Sequence, residues 1–307
     1  MTKAAQPARA PERKEKFFHG AKKHGSYFEG WYLKHQVEGG ASLALIPALH
    51  VDAAGRRSAS LQVVAEGQSW WLEYPAAEFE ASESAFHIRL GQSLFAREGI
   101  RLDIRREGLA LQGALRHGPF ASLRSDIMGP FRFLPGMECS HGVISMGHAL
   151  EGSLRLNGQA LNFSGGRGYI ETDRGRSFPS AYLWTQSAWP RQGGLMLSIA
   201  AIPLAAGHFT GCICAVLYGG REYRLATYRG VRVERWDASG AMIRQGKYRL
   251  EAVLLEKQDC SLRAPVRGGM DRRIRESLRA KMRYRFWEGE QLLFEHTDPG
   301  ASFEYAD

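Results

Sequence analysis

Apolar and polar residues alternate along most of the chain, so the dominant period is two. In the segment 154–163, apolar residues at every second position flank Asn157-Gly158. Successive side chains of a strand point to opposite faces, so this alternation predicts strands with one buried face. An Asn-Gly pair predicts a tight hairpin turn between two such strands, because both central residues of that turn need positive φ.

Similar units recur elsewhere, and they predict a β-rich fold. Hairpins are predicted around the polar glycine-containing segments 106–108, 288–290 and 298–300. Segments with a period of 3.6 residues are limited to a short predicted helix over Met270–Leu278. Many short strands joined by glycine turns are typical of β-barrels and β-sandwiches.

A loop-rich stretch with three prolines, residues 118–141, separates two groups of predicted strands. The sequence therefore predicts a basic solvated tail at 1–16, an N-terminal β lobe at 17–145 and a C-terminal β lobe at 146–307. The boundary is placed near 140–150, where the loop ends.

Composition supports this fold class and excludes others. The chain has 307 residues, of which 44% are hydrophobic and 24% are charged, with 35 Gly and 7 Trp. Such a composition excludes a disordered chain and a collagen-like fibre. The longest apolar stretch, 195–206, contains Pro203 and is shorter than the roughly 20 residues that a membrane-spanning helix needs.

The formal net charge is +9, and the excess lies in two segments, 1–25 and 263–285. Neither interleaves basic residues with base-stacking aromatic residues over a whole face, so no specific nucleic-acid partner is expected. Residues 279–285 alternate basic and apolar side chains, which predicts a strand with one charged face. The alternative is peripheral contact of this strand with anionic lipid headgroups at the inner face of a membrane.

The four cysteines are expected to be reduced thiols in a cytoplasm, because the N-terminus is charged and lacks the apolar core of a signal peptide. Cys212 and Cys214 lack the spacing of a zinc site and are predicted to be buried small side chains. The dinucleotide, P-loop, nucleophile-elbow and HExxH patterns are missing from the sequence. We therefore expect no metal and no cofactor.

Two clusters of aromatic and ionisable residues, 27–34 and 168–186, are the candidate site. On an extended backbone Glu29 would share a face with Trp31, and Glu171 with Tyr169. A carboxylate between large rings is costly to bury unless it has a partner or takes up a proton. It is therefore either a proton donor near neutral pH or a structural ion pair with a nearby Lys or Arg.

The same segments carry a family resemblance. Phe28 to Lys34, Met137 to Val143 and Gly168 to Gln186 resemble the tocopherol cyclase-like family, particularly its bacterial members, and the likeness runs from about Phe18 to the C-terminus. This resemblance implies an all-β fold of two antiparallel, lipocalin-like lobes with an apolar cavity. Plant members close the chromanol ring of vitamin E precursors, which implies an intramolecular cyclase acting on a prenylated hydroquinone or related isoprenoid.

Such a cyclase protonates an alkene, and a phenol oxygen then traps the tertiary cation. By position Glu171 is the first candidate acid. Asp173 is the weaker one, because Arg174 follows it where the family usually has Trp. Glu29 is the second candidate acid, or else the base for the phenol. His141 is a reserve candidate for acid–base catalysis.

The resemblance also implies a set of substrate-binding residues. The predicted cavity walls and polar contacts are Trp31, Tyr32, Tyr169, Tyr182, Trp184 and Gln186. Rings of this kind stabilise a desolvated cation. The expected partner is a hydrophobic small molecule. The sequence leaves an alternative open, in which the same cavity carries an isoprenoid or lipid without transforming it.

Overall fold

A computed structural model of the protein describes residues 16–65, 67–106, 108–134, 137–189, 193–204 and 207–307. The predicted tail at 1–16 lies, except for Lys16, outside the described residues. Lys16 forms an exposed ion pair with Glu83 at 3.0 Å.

The described chain is built from two antiparallel sheets, which confirms the all-β fold class. Strands of the first sheet are β1 (Tyr27–Gln36), β2 (Ser42–Val51), β3 (Arg57–Ala65), β4 (Gln68–Pro75), β5 (Phe79–Ala81), β6 (His87–Leu90), β7 (Ser93–Ala96), β8 (Gly99–Arg106), β9 (Leu109–His117), β10 (Cys139–Leu156), β11 (Gln159–Asn162) and β12 (Arg167–Gly175). They are ordered β4-β3-β2-β1-β12-β10-β9-β8-β7-β6-β5, and β11 pairs with β10.

The second sheet follows in the chain. Its strands are β13 (Tyr182–Trp189), β14 (Gly193–Leu204), β15 (Gly207–Tyr218), β16 (Arg221–Ala226), β17 (Arg232–Asp237), β18 (Gly240–Gln245), β19 (Tyr248–Glu256), β20 (Cys260–Val266), β21 (Gly269–Glu288) and β22 (Gln291–Ala306). Their order is β16-β15-β14-β13-β22-β21-β19-β18-β17, with β20 on β21. Helical structure in the described residues is limited to short 3₁₀ turns at Gly20–Lys22, Ala76–Glu78, Gly129–Phe133 and Thr227–Arg229.

Three apolar cores result, because central strands bury both of their faces. On β1, Trp31 and Leu33 pack into the core enclosed by the first sheet, whereas Tyr32 points into the core between the sheets. On β13, Leu183 belongs to the core of the second sheet and Trp184 to the shared core. Alternation along a strand thus assigns neighbouring residues to different cores.

Several local predictions hold. The Asn157-Gly158 turn joins β10 to β11, and both residues have positive φ, at 47° and 88°. β8 pairs with β9 and β21 with β22, as the hairpins around 106–108 and 288–290 require. The basic segment 279–285 lies on β21, where Ala280, Met282 and Tyr284 are fully buried and the alternate basic residues are at least partly exposed.

Two local predictions were wrong. The helix predicted over Met270–Leu278 is part of β21, because that segment pairs with β20 on one side and, at its C-terminal end, with β22 on the other. The hairpin predicted around 298–300 is a bulge within the continuous strand β22. The backbone N–H of Gly300 donates to Asp298 Oδ1 at 2.7 Å there, and pairing with β21 resumes after the bulge.

The chain passes from the first sheet to the second between Gly175 and Tyr182, whereas the sequence placed the lobe boundary at 145/146, inside β10. The change of sheet comes later than predicted because β12 pairs with β1 on one side and with β10 on the other. The whole segment through Gly175 therefore lies in the first sheet.

Helices that are long and apolar enough to cross a membrane are missing from the described part of the chain.

Gly240, where β18 begins, allows a close approach of β19. Its φ is +131°, and a Cβ atom there would lie 2.0 Å from the carbonyl oxygen of Ala252. We expect Gly240→Ala to lower the free energy of unfolding by about 1–3 kcal/mol through backbone strain. Urea unfolding measures this, with Gly25→Ala as the control because nothing lies within 4 Å of a Cβ there. Equal midpoints for the two variants would contradict the strain argument.

Candidate active site

An apolar cavity of about 160 Å³ lies between the two sheets. Its walls combine rings, methionines, small side chains and a few ionisable groups: Phe28, Gly30, Tyr32, Ile46, Ala48, His50, Gln62, Met128, Phe131, Met137, Cys139, His141, Glu171, Asp173, Phe178, Pro179, Tyr182, Trp184, Ser198, Ala200, Ile202, Gly211, Cys212, Ile213, Leu262, Arg263, Pro265, Met270, Ile274 and Glu304. A dry apolar cavity of about 150 Å³ binds benzene, so this one is large enough for one aromatic ring.

β12 brings two carboxylates to the cavity because alternate residues of a strand share a face. Glu171 and Asp173 point into it, while Ile170 between Tyr169 and Glu171 packs into the core of the first sheet. β10 runs beside β12, and His141 lies opposite Asp173. Strand pairing therefore assembles a group of one histidine and two carboxylates.

Glu171 is held through one oxygen. Oε2 accepts the Tyr169 hydroxyl at 2.5 Å and the Trp184 indole N–H at 3.2 Å, and His141 Nε2 lies 3.3 Å from it. Oε2 is thus fixed by donors from β12 and β13.

His141 lies between the two carboxylates. Its Nδ1 is 3.0 Å from Asp173 Oδ1, and the side chain is only 10% exposed. Burial lowers the pKa of His141, but the charges of Glu171 and Asp173 outweigh burial and raise it well above its usual value. The imidazole is therefore charged at neutral pH and stabilises negative charge on Glu171. Asp173 is paired with His141 instead of Arg174, because neighbouring strand residues point to opposite faces.

The pKa of Glu171 is raised, chiefly by burial, although the neighbouring His141 and the Tyr169 hydrogen bond oppose the shift. The pKa of this carboxyl group is thus set by two opposed effects. Carboxyl groups whose pKa is shifted by burial and by a specific charged neighbour are characteristic of acid–base sites.

The structure brings together most of the residues predicted from the sequence. Glu171, Asp173, Tyr32, Tyr182 and Trp184 line the cavity. Tyr169 lies behind Glu171 as its hydrogen-bond donor, and its ring is 6.5 Å from that of Trp184.

Besides Tyr169, three predicted residues lie away from the cavity walls. Trp31 packs against Phe18 and Phe79 in the core of the first sheet. Glu29 shares that face of β1, where it accepts hydrogen bonds from His19 and Tyr27. The face assignment made from alternation was therefore correct, but it puts Glu29 and Trp31 on the side opposite Tyr32.

Gln186 is the third residue away from the walls. It is buried in the middle of β13, two residues beyond Trp184, and its Oε1 has no partner among the described residues.

The sequence reasoning missed a second pair of carboxyl groups. Glu304 on β22 lines the cavity, and Glu276 on β21 lies directly opposite it in the strand pairing. Glu276 interrupts an alternating row of apolar residues, between Ile274 and Leu278. That signal was present in the sequence, but the helix predicted there concealed it.

One group of side chains in the described residues could hold a metal ion. His141, Glu171 and Asp173 each offer one ligand atom, and these atoms lie within 4.8 Å of one another. The hydrogen bond between His141 and Asp173 and the donors to Glu171 already occupy most of these atoms. Metal binding would therefore have to displace a proton from His141.

Filling the cavity should block ligand binding. Ala200 lines it from β14, so Ala200→Phe places a ring in the space. We expect at least about a tenfold loss of affinity for a single-ring fluorophore such as p-cresol, with little change in stability, since the substitution fills existing space. Ala114→Phe on the exposed face of β9 is the control. Unchanged binding in Ala200→Phe would show that the fluorophore does not occupy the cavity.

Burial raises the pKa of Glu276 from 4.5 to about 7. The folded state therefore holds this proton more tightly than the unfolded state, and the resulting stability is lost as pH rises from 4.5 through about 7. Relative to the natural protein, Glu276→Gln should gain up to about 3 kcal/mol in free energy of unfolding across this window. Denaturant titrations at several pH values measure it, with exposed Glu290→Gln as control. Parallel pH profiles for Glu276→Gln and the natural protein would contradict the prediction.

The protein is similar to known proteins in fold and not in sequence. No family model matches the chain, and no curated protein matches it in sequence. Solved structures do match, and two of them are compared as follows. A protein of Nitrosomonas europaea provisionally named AttH is 13% identical, with a TM-score of 0.57 over 98% of this chain and 97% of that chain. Kievitone hydratase of Nectria haematococca is 10% identical, with a TM-score of 0.52 over 92% of this chain and 89% of that chain. The chain thus shares the overall two-sheet fold of these proteins.

Proposed function

We propose that this protein is a cofactor-independent intramolecular cyclase that closes a chromanol-type ring on a prenylated hydroquinone or related isoprenoid. The observation that carries the proposal is the convergence of three carboxyl groups and His141 on a mainly apolar cavity between the sheets, whose walls also include His50, Gln62 and Arg263. An apolar cavity with a few convergent polar groups and perturbed pKa values is a strong candidate for a reaction site.

The chemistry needs a proton and a dry site. A carboxylic acid on the wall adds its proton to the alkene, and the tertiary cation that forms is trapped by the phenol oxygen in a new C–O bond. The phenol proton passes to a second group on the wall, so the reaction is proton-neutral. Water would otherwise capture the cation, and the apolar walls exclude it.

Aromatic walls suit a cationic intermediate. Tyr32 and Trp184 lie edge to face with their centroids 5.3 Å apart, and both line the cavity. A ring face next to a desolvated cation contributes about 2 kcal/mol. The site can therefore stabilise the charge that develops after protonation.

The cavity volume limits what is enclosed. About 160 Å³ accommodates the aromatic head, and Met128, Met137 and Met270 on the same walls are proposed to contact the start of the prenyl tail. Methionine is unbranched and adapts to irregular ligands, so these residues suit a flexible tail.

Two resemblances support the proposal. The segments 28–34 and 168–186 resemble tocopherol cyclase-like sequences, and one structure of similar fold belongs to a hydratase. Acid-catalysed hydration of an alkene and cyclisation of an alkene share their first step, the addition of a proton to carbon.

Glu171→Gln tests the site. With a geranylated hydroquinone, the protein should form a product of unchanged mass that differs in retention time and ultraviolet spectrum. Glu171→Gln should reduce turnover by about 10²–10⁴-fold, while binding, followed by quenching of Trp fluorescence, changes little. Glu151→Gln, an exposed carboxyl of β10, is the control.

The same assay separates a catalyst from a carrier. Binding without conversion across several tail lengths would reject the cyclase and support a carrier of hydrophobic ligands. Full turnover in Glu171→Gln would reject the assignment of Glu171 to the reaction.

A further inference from the structure

Glu276 and Glu304 form a second acidic pair. They are partners in the antiparallel pairing of β21 with β22, and they are 0% and 9% exposed. Side chains of directly opposed residues lie on the same face, with Cβ atoms about 4.5–5.5 Å apart. Two carboxylates held this close in a buried site do not both ionise readily.

The surroundings supply little compensation for negative charge. Glu304 Oε2 accepts the Tyr182 hydroxyl at 2.8 Å, and Glu276 Oε1 accepts the Tyr32 hydroxyl. Glu276 Oε2 has no hydrogen-bond partner among the described residues. No ion pair within the described ranges includes either carboxyl group.

Lys34 on β1 is the basic group that acts on this pair. Burial raises the pKa of Glu276, and the Tyr32 hydrogen bond and the charge of Lys34 oppose that rise without cancelling it. Lys34 Nζ donates its hydrogen bond to the carbonyl of Gly300, at 2.5 Å. Burial raises the pKa of Glu304 well above its usual value, and the charges of Glu276 and, from the first sheet, Glu171 and Asp173 raise it further.

Glu171 has more compensation for negative charge. Burial still raises its pKa, but one of its oxygens has two hydrogen-bond donors and His141 around it, and these oppose the rise. Where the environments of two carboxyl groups push their pKa values apart, the groups divide into an acid and a base. Glu304 and Glu171 line the same cavity from different sheets, so a bound substrate can lie between them.

Building on the proposed function, we infer that Glu304 is the proton donor of the cavity and that Glu171, supported by His141 and Asp173, is the proton acceptor. The O–H bond of Glu304 breaks as the C–H bond forms at the alkene. The phenol oxygen then forms the C–O bond to the cation, and its proton passes to Glu171. After the product leaves, the proton returns from Glu171 to Glu304 through water that enters the empty cavity.

The protonation states are open to infrared spectroscopy without any substrate. We choose a pH about one unit above the pKa of Glu276, which burial raises to about 7, so that Glu276 is mainly ionised. A protonated carboxylic acid has a C=O stretch that is resolved from ionised carboxylate. The band should be present in the natural protein, persist in Glu171→Gln and Glu276→Gln, and disappear in Glu304→Gln.

A band that is lost in Glu171→Gln and kept in Glu304→Gln would overturn the inference, as would the lack of any band in the natural protein. Because this measurement uses no substrate, it is separate from the cyclase assay. Failure to convert any prenylated hydroquinone would reject the proposed function alone, and the infrared result would still decide where the proton resides.

Turnover gives a second readout. In Glu304→Gln the turnover rate should fall by at least about 10²-fold, and its pH dependence in the natural protein should be lost. Glu304→Asp keeps an acid at the position and should recover part of the rate, which a merely structural residue would not require. A pH profile of Glu304→Gln with the shape of the natural one would contradict the assignment.

Discussion

Burial of carboxyl groups between the two sheets is the physical constraint on which the site depends. A carboxylate removed from water loses several kcal/mol of solvation unless charges or hydrogen bonds replace it. Around Glu171 the replacement is provided by Tyr169, Trp184 and the charged His141. Around Glu304 the replacement is small, so the proton itself neutralises the group. The same apolar enclosure therefore produces two different chemical states.

This constraint arises from the architecture. Central strands of both sheets bury both faces, so one face packs into the sheet's own core and the other faces its partner sheet. Polar residues on the shared face are removed from water whatever their chemistry. A cavity at that position exposes them to a ligand while solvent stays outside, which is the environment that proton transfer to carbon needs.

Much of the fold was predictable because it follows from local patterns. The two-residue period identified strands, and the Asn157-Gly158 turn was correct because its backbone requirement is local. Errors appeared where tertiary pairing overrides local preference. Met270–Leu278 has an ambiguous pattern, and pairing with β20 and β22 makes it a strand. The segment 298–300 was predicted to be a turn because Pro and Gly are frequent both in turns and at bulges within strands.

By itself the sequence determined the β class, the two aromatic segments and the shared faces of Tyr169, Glu171 and Asp173, since these follow from a period of two along one strand. Only the tertiary structure decided which face meets the cavity, so Tyr32 lines it and Glu29 does not. It also decided that Glu276 and Glu304 are neighbours, and that His141 lies between Glu171 and Asp173. Such proximities depend on which distant segments pair within a sheet and which sheets pack together, and a period of two along one strand does not specify its partner.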